Sequence, residues 1–207
     1  RAYRDRLTAI VADDLTSADP IEHVPTVCRH MTELADAALD AALLVARAAV
    51  GPQADDVALA VIAMGKTGAR ELNYISDVDV VYVVGPTHEA RGAQEPISEE
   101  RLVEVGTHVA TELAHVVSAT APEPPLWPLD TALRPEGKDG ALVRTLDSHL
   151  AYYRRWAASW EFQALLKARA CAGDVELGAR YEQGVAPYVW EASRRENFVE
   201  DARAMRR

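Results

Sequence analysis

Two aspartates after a glycine-lysine turn form the stretch of the sequence best suited to chemistry. Asp77 and Asp79 stand two residues apart at the start of a β-branched run. Side chains alternate along a strand, so we expect both carboxylates to point to the same face. Carboxylates that close repel each other and need a cation or a shared proton. Mg²⁺ suits them because it prefers oxygen ligands and keeps positions for phosphate.

A third acidic candidate, Asp130, stands inside the apolar run 129–133. An acid in such a run needs a partner. Three carboxylates on adjacent strands would suit two-metal phosphoryl or nucleotidyl transfer, so we name Asp77, Asp79 and Asp130 as candidate catalytic and metal-binding residues. The alternative for Asp77 and Asp79 is that they are ordinary solvated residues at a strand start.

The turn before the aspartates could bind phosphate. Gly65 allows the backbone to turn sharply after the preceding apolar run. If residues 66–73 open a helical turn, their free N–H groups point toward an anion and Lys66 adds positive charge. Ser76 could donate a hydrogen bond to a phosphate or cap a turn. The Walker A pattern is absent, so this is not a P-loop.

Further candidates lie toward the C-terminus. Arg134 could grip phosphate bidentately or form a local ion pair. Lys167 and Arg169 are predicted on one helix, where they lend charge to the site or flank the helix end. Trp156 and Trp160, four apart on the same predicted helix, could stack on adenine or pack in the core.

Hydrophobic periodicity predicts the elements that must position these residues. The unbroken run 57–64 predicts a strand buried on both faces, and the β-branched run 78–84 predicts a second. The run 126–133 predicts a third strand, which Pro128 puts at an edge or starts late. Residues 85–98 and 134–140 read as connections. Helices are predicted over 1–14, 22–50, 99–119 with Ser98 as N-cap, 147–169, 174–192 and 195–206.

These elements predict an α/β fold in three segments: a helical arm (1–54), a core (55–145) and a helical tail (146–207). The chain begins at Arg1 without a methionine and ends in a helix-like stretch, so we expect it to be part of a longer protein.

Composition excludes several classes of function. Hydrophobic residues make up 49% and charged residues 26%, which is the ordinary globular mix. The net charge of -10 disfavours tight binding of nucleic acid. No apolar run approaches the roughly 20 residues that span a bilayer, and no signal peptide is evident, so we expect a cytoplasmic protein without a membrane partner.

Three ordered blocks carry a resemblance to a known family. Residues 64–84 (MGKTGARELNYISDVDVVYVV), 130–144 (DTALRPEGKDGALVR) and 160–174 (WEFQALLKARACAGD) resemble the signatures of bacterial glutamine synthetase adenylyltransferase/adenylyl-removing enzymes. This family lies within the polymerase β-like nucleotidyltransferases. The resemblance implies a polymerase β-like core with a mixed sheet, preceded by helices and followed by a helical bundle.

The family has two homologous halves, of which the amino-terminal one removes AMP from glutamine synthetase and the other attaches it. Asn73 resembles the removing half, because the attaching half more often carries glycine there. The implied reaction is phosphorolysis of AMP-tyrosine to ADP and free tyrosine. Asp77, Asp79 and Asp130 would hold two Mg²⁺ ions, with Mn²⁺ as an alternative. The implied phosphate-binding set is Gly65, Lys66, Ser76, Arg134, Lys167 and Arg169.

The resemblance also implies partners and leaves alternatives open. Glutamine synthetase would be the protein substrate, with ADP or ATP and inorganic phosphate as small substrates and a PII signalling protein as regulator. Thr67 and Ala132 depart from the usual leucine and arginine. The attaching reaction with ATP would use the same carboxylates. A nucleotide-sensing module without turnover is the alternative from another class.

Overall fold

The computed structural model describes residues 1–91, 95–119, 125–194 and 198–204. Two helices open the chain, α1 (Ala2–Thr16) and α2 (Pro20–Val50). The Asp19 side chain caps α2 by accepting a hydrogen bond from the Glu22 N–H, and Pro20 occupies the first helical position. Gly51, at φ 82°, ends α2 in a conformation that glycine adopts readily.

A mixed sheet follows, and its spatial order is β3-β2-β1-β5 with β4 also paired to β2. β1 runs antiparallel to β2 and β5, whereas β3 and β4 run parallel to β2. The strand bounds are β1 (Val57–Ala63), β2 (Val78–Pro86), β3 (Leu129–Asp130), β4 (Val143–Thr145) and β5 (Arg169–Gly173).

Helices cover both faces of this sheet. Alternate residues of β1 and β2 face α2 and α5, and the others face α6, α7 and α8. All seven residues of β1 are buried, as expected for a strand between two helical layers. The remaining helices are α3 (Gly65–Gly68), α4 (His88–Arg91), α5 (Glu99–Ser118), α6 (Leu146–Arg155), α7 (Ser159–Leu165), α8 (Val175–Ala192) and α9 (Phe198–Ala204).

The predicted α/β class with a mixed sheet is confirmed, as are the first two strands and the Ser98 cap of α5. The third predicted strand shrinks to β3, which starts after Pro128 and lies at the sheet edge. The helical turn predicted over 66–73 is only four residues long, as α3. Within 85–98, β2 extends to Pro86 and α4 follows, while residues 92–94 lie outside the described part of the chain.

The C-terminal prediction was wrong in one important respect. The continuous helix predicted over 147–169 is two helices, α6 and α7, and the chain then forms β5 beside β1. β4 was also missed, because three residues are too few to show a period. The division into arm, core and tail stays a prediction, although the sheet draws a strand from beyond residue 145. Residues 195–197 and 205–207 lie outside the described structure.

A buried polar cluster centres on His149 of α6. Its Nε2 lies 3.2 Å from the Tyr82 carbonyl oxygen, which can only accept, so Nε2 carries the hydrogen. The ring stacks on Tyr153 and meets Tyr181 edge-on. Nδ1 has no hydrogen-bond partner among the described residues. Burial, reinforced by the nearby charge of Arg144, lowers the His149 pKa to about 4.

We predict that this histidine makes the fold sensitive to mild acid. Its pKa is about 4 when folded and about 6.5 when unfolded, so the unfolded state takes up the proton first as pH falls. Between pH 7 and pH 4 the protein should lose about 3 kcal/mol of unfolding free energy through this group. Urea unfolding at a series of pH values measures the loss. Between pH 7 and pH 4, His149→Gln should lose about 3 kcal/mol less unfolding free energy than the parent chain. Equal losses in the two proteins would contradict the assignment.

Candidate functional site

The start of β2 brings the predicted acids together. Asp77 directly precedes the strand and Asp79 is its second residue. The flanking Val78 and Val80 are fully buried, which fixes the direction of the strand's side chains. Asp79 is in register with Asp130 of β3, and neighbours in register on parallel strands share a face. The sheet therefore gathers the three carboxylates at one edge.

An open cavity of about 490 Å³ lies over this edge. Its volume is within the usual range for small-molecule sites. Six of the predicted site residues line it, together with two, Asn73 and Ile75, that the sequence analysis did not place there. The lining residues are Gly65, Lys66, Asn73, Ile75, Ser76, Asp77, Asp79 and Lys167.

Asp79 is the acid whose titration is most disturbed. Burial raises the pKa of its carboxyl group, and the negative charges of Asp130 and Asp77 raise it further. Lys66 acts in the opposite direction by favouring the charged form. Perturbed carboxyls of this kind are enriched at functional sites. A cation placed among the three acids would relieve both their repulsion and the cost of burying Asp79.

The donor chemistry of this edge fits magnesium, although the acids do not form a ready-made cage. Carboxylate oxygens are the hard ligands that Mg²⁺ takes, and it usually keeps positions for water and substrate phosphates. Asp130 Oδ1 already accepts the Ala132 N–H at 2.7 Å. Among the described residues, no group of three or more acidic, histidine or cysteine side chains is arranged to enclose a metal. The edge would therefore hold an ion jointly with a phosphate-bearing substrate.

A hydrogen-bonded chain of polar side chains also lines the cavity. Lys66 Nζ donates to Ser76 Oγ at 3.1 Å, and Ser76 Oγ donates to Asn73 Oδ1 at 2.7 Å. The Ile75 N–H also donates to Asn73 Oδ1, at 3.1 Å. A backbone N–H can only donate, so this contact fixes which atom of the Asn73 amide is the oxygen. The spacing Asn73-x-x-Ser76 was the sequence signal for this local turn.

The second cavity lysine is held by an acid that the sequence analysis did not single out. Lys167 Nζ lies 2.8 Å from Glu71 Oε2, and both side chains are exposed. Lys167 follows the end of α7 and is not on a helix with Arg169, so the prediction of one shared helix was wrong. Exposed pairs of this kind contribute little to stability, so the lysine can exchange Glu71 for a bound anion.

Two predicted phosphate ligands lie outside the cavity lining. The Arg134 guanidinium donates to the carbonyls of Thr131, Lys138 and Gly140 and thereby holds its own turn together. Arg169 pairs with Asp36 of α2. Neither arginine has its guanidinium free for phosphate in this arrangement.

The two tryptophans are also misplaced by the sequence analysis. Trp156 follows α6 and is 76% exposed, and Trp160 lies in α7 and is 39% exposed. Packing in the core, one of the two predicted roles, is therefore wrong. Neither side chain lines the cavity, so the structure gives no support to stacking on adenine there.

Gly65 is required by the site geometry, and its replacement should be damaging. Gly65 has φ +53°, and a Cβ there would overlap Asp79 Oδ2. We predict that Gly65→Ala displaces the Asp79 carboxylate and weakens binding of Mg²⁺ with ADP at least tenfold, since one overlapping atom must move.

Gly137→Ala is the matched control. Gly137 has a similar φ of +61°, but a Cβ there would lie 3.7 Å from the Ala132 carbonyl oxygen, an ordinary contact. Both variants should lose about 1 kcal/mol of stability from the left-handed backbone. Calorimetric titration with Mg²⁺ and ADP separates them, and equal affinities would contradict the crowding at Asp79.

The chain is similar to curated proteins over its whole length. Among curated proteins, the chain is 48% identical over 209 residues to the bifunctional glutamine synthetase adenylyltransferase/adenylyl-removing enzyme of Bifidobacterium longum (strain DJO10A), covering 100% of this chain and 19% of that protein. The enzyme of the same name from Mycolicibacterium smegmatis is 51% identical over 208 residues, covering 99% of this chain and 20% of that protein.

A third such enzyme, from Leifsonia xyli subsp. xyli, is 50% identical over 213 residues, covering 99% of this chain and 21% of that protein. The chain thus spans about a fifth of the length of the curated relatives it matches. The family model described as glutamate-ammonia ligase adenylyltransferase matches residues 1–184. With most of its length matched, the chain belongs to the glutamate-ammonia ligase adenylyltransferase family.

Proposed function

We propose that this chain removes AMP from adenylylated glutamine synthetase by phosphorolysis, giving ADP and free tyrosine. The observation that carries the proposal is the cavity that Lys66, Lys167 and Asn73 line together with the aspartates at the start of β2. The positive charges of the lysines and the amide donor of Asn73 suit a small anion. The carboxylates suit the metal ion that phosphate chemistry uses.

Asn73 supports inorganic phosphate as the second substrate. Its Oδ1 is occupied by Ser76 Oγ and the Ile75 N–H. The remaining polar atom, Nδ2, is a donor without a hydrogen-bond partner among the described residues. An amide donor beside Lys66 suits an anion, and a glycine at this position would supply neither the donor nor the anchor for Ser76.

The proposed step exchanges one bond to phosphorus for another. An oxygen of inorganic phosphate forms a bond to the adenylyl phosphorus while the bond to the tyrosine oxygen breaks. The adenylyl group leaves as ADP, and the phenolate takes a proton to become tyrosine. Lys66 and Lys167 would bind the attacking phosphate and reduce its charge as it approaches the second phosphoryl group.

The carboxylates would serve the same step through a metal ion. Asp77 and Asp79, with Asp130 beside them, would hold Mg²⁺ or Mn²⁺, and a second ion would share Asp130. Such an ion, when bound, neutralises charge on the phosphoryl oxygens in the transition state. The sheet register fixes the relative positions of Asp79 and Asp130 before any substrate arrives.

The biological setting follows from the family and stays a proposal. Removal of AMP from glutamine synthetase would place the chain in the control of nitrogen metabolism in the cytoplasm. A PII signalling protein stays a predicted regulator, since no described residue marks a surface for it. No helix in the described part of the chain is long and apolar enough to cross a membrane.

The identity of the released nucleotide tests the reaction. We predict that the chain, incubated with adenylylated glutamine synthetase, Mg²⁺ and phosphate, releases ADP and that omission of phosphate abolishes release. Chromatography of the nucleotides gives the answer. Release of AMP would identify water as the attacking group. Labelling of unmodified glutamine synthetase from ATP, without phosphate-dependent ADP, would support the attaching reaction instead, and no turnover at all would support a nucleotide-sensing module.

A second prediction concerns the carboxylates. Asp77→Asn and Asp79→Asn should each lower kcat by at least about a hundredfold, because each removes a charge that holds the metal against the phosphates. Asp130→Ala should lower kcat to the same extent. In a calorimetric titration in the presence of ADP, this variant should bind one Mg²⁺ ion fewer than the parent chain. Folding should be retained, as judged by thermal unfolding.

Asp55→Asn is the control for these variants. Asp55 is an exposed acid just before β1, at the opposite end of that strand from Gly65. It should leave both kcat and the metal count unchanged. Normal turnover in any of the three site variants would contradict the metal-holding role of that residue.

A further inference from the structure

Arg169, the first residue of β5, joins three parts of the chain through one guanidinium group. Nη1 and Nη2 donate to the two carboxylate oxygens of Asp36 at 2.8 and 3.0 Å. Nη2 also donates to the Thr67 carbonyl at 3.1 Å, and Nε to the Gly68 carbonyl at 3.3 Å. Both charged side chains are only about a fifth exposed. Helix α2 is therefore tied through Arg169 to the end of α3.

The segment that receives these bonds is the one that carries Lys66. α3 is a single turn of four residues, too short to be stable by itself. Its first residue has φ +53°, and Arg70 shortly after it has φ +60°, a left-handed conformation that is uncommon outside glycine. Such a turn persists only where its surroundings hold it in place.

The chain before Arg169 packs directly on the same turn. Gly68 lies so close to the Lys167 carbonyl that a Cβ would overlap it, and that Cβ would also be 2.7 Å from the Ala63 carbonyl. Lys167 itself lines the cavity two residues before Arg169. Consequently the backbones that carry the two cavity lysines are in contact, and Arg169, two residues after Lys167, bonds to the α3 side of that contact.

We propose that Asp36 and Arg169 form a positioning pair that sets the distance between Lys66 and Lys167, and hence the affinity of the cavity for phosphate. Neither residue lines the cavity, so neither is expected to touch the substrate. The identification of phosphate as the ligand rests on the proposed function. The role of the pair in holding the α3 turn in place does not depend on that function.

The chemistry explains why an arginine is needed at this position. A guanidinium group presents several N–H donors in a fixed plane, so it can grip a carboxylate with two bonds and still reach two carbonyls. A lysine ammonium keeps the charge but lacks this planar fork. Asp36→Asn keeps the shape of its side chain but removes the charge and one of the two acceptors for Arg169.

Arg169→Lys and Asp36→Asn are the test variants, in the full 207-residue chain. Arg47→Lys is the matched control, because Arg47 of α2 also donates to two backbone carbonyls, those of Ala54 and Val57, but at the far end of β1. Amide hydrogen exchange is the first measurement. It follows the N–H groups that bond within and just after α3, those of Gly68, Ala69, Arg70 and Glu71.

We expect exchange at these four amides to be about tenfold faster in both test variants, with the β2 amides unchanged. The KM for phosphate should rise about tenfold while kcat stays within about threefold, because only the anion site is loosened. The double variant should be no worse than either single one, since the two residues act as a unit. Arg47→Lys should change none of these values.

Unchanged exchange in both test variants would overturn the proposal. Equal effects of Arg47→Lys would also overturn it, because they would indicate general destabilisation. A fall in kcat at constant KM would show that the pair acts on something other than phosphate affinity. If the parent chain releases no ADP, the proposed function fails, yet hydrogen exchange still decides whether the pair holds the turn.

Discussion

Repulsion among three carboxylates is the constraint that the edge of the sheet at the start of β2 must accommodate. Asp79 is half-buried, and its neighbours Asp77 and Asp130 add negative charge that raises its pKa. Acids do not gather in this way unless the backbone forces them together. Strand β2 supplies this constraint, because helices bury most of its residues on both faces. Its pairing with β3 then fixes the register that places Asp130 beside Asp79. The free energy of hydrophobic burial thus offsets the repulsion among the acids on which the proposed chemistry depends.

The turn that carries Lys66 must be held in place by other means, because it is polar and has no hydrophobic core of its own. α3 has no large apolar side chain, so its position depends on hydrogen bonds to its carbonyls and on close backbone contact. Arg169 supplies the first and the Lys167 carbonyl the second. Both come from a segment about a hundred residues away in the sequence. The acids are therefore positioned by the sheet, and the lysines by a contact between distant loops.

Sequence reasoning worked where the signal was local. The unbroken apolar run of β1, the Asp77–Asp79 spacing and the Ser98 cap each depend on a few neighbouring residues, so each could be read directly. The reasoning missed β5, because its short run, with two alanines and a glycine, carries little strand propensity, and only pairing with β1 makes it a strand. The sequence analysis also named Arg134 and Arg169 as phosphate ligands. Charge alone does not reveal that both guanidinium groups already donate to backbone carbonyls.

The sequence by itself determined the α/β class, the strands that carry the acids and the family resemblance, because periodicity and motif spacing are properties of neighbouring residues. Only the tertiary structure decided which charged groups share the cavity. Lys66 and Lys167 meet there although about a hundred residues separate them, and Arg169, only two residues further on, turns away to Asp36. Lys167 lies in the turn after α7 whereas Arg169 begins β5, so the two side chains belong to different local structures, and no pattern of residue types encodes that division.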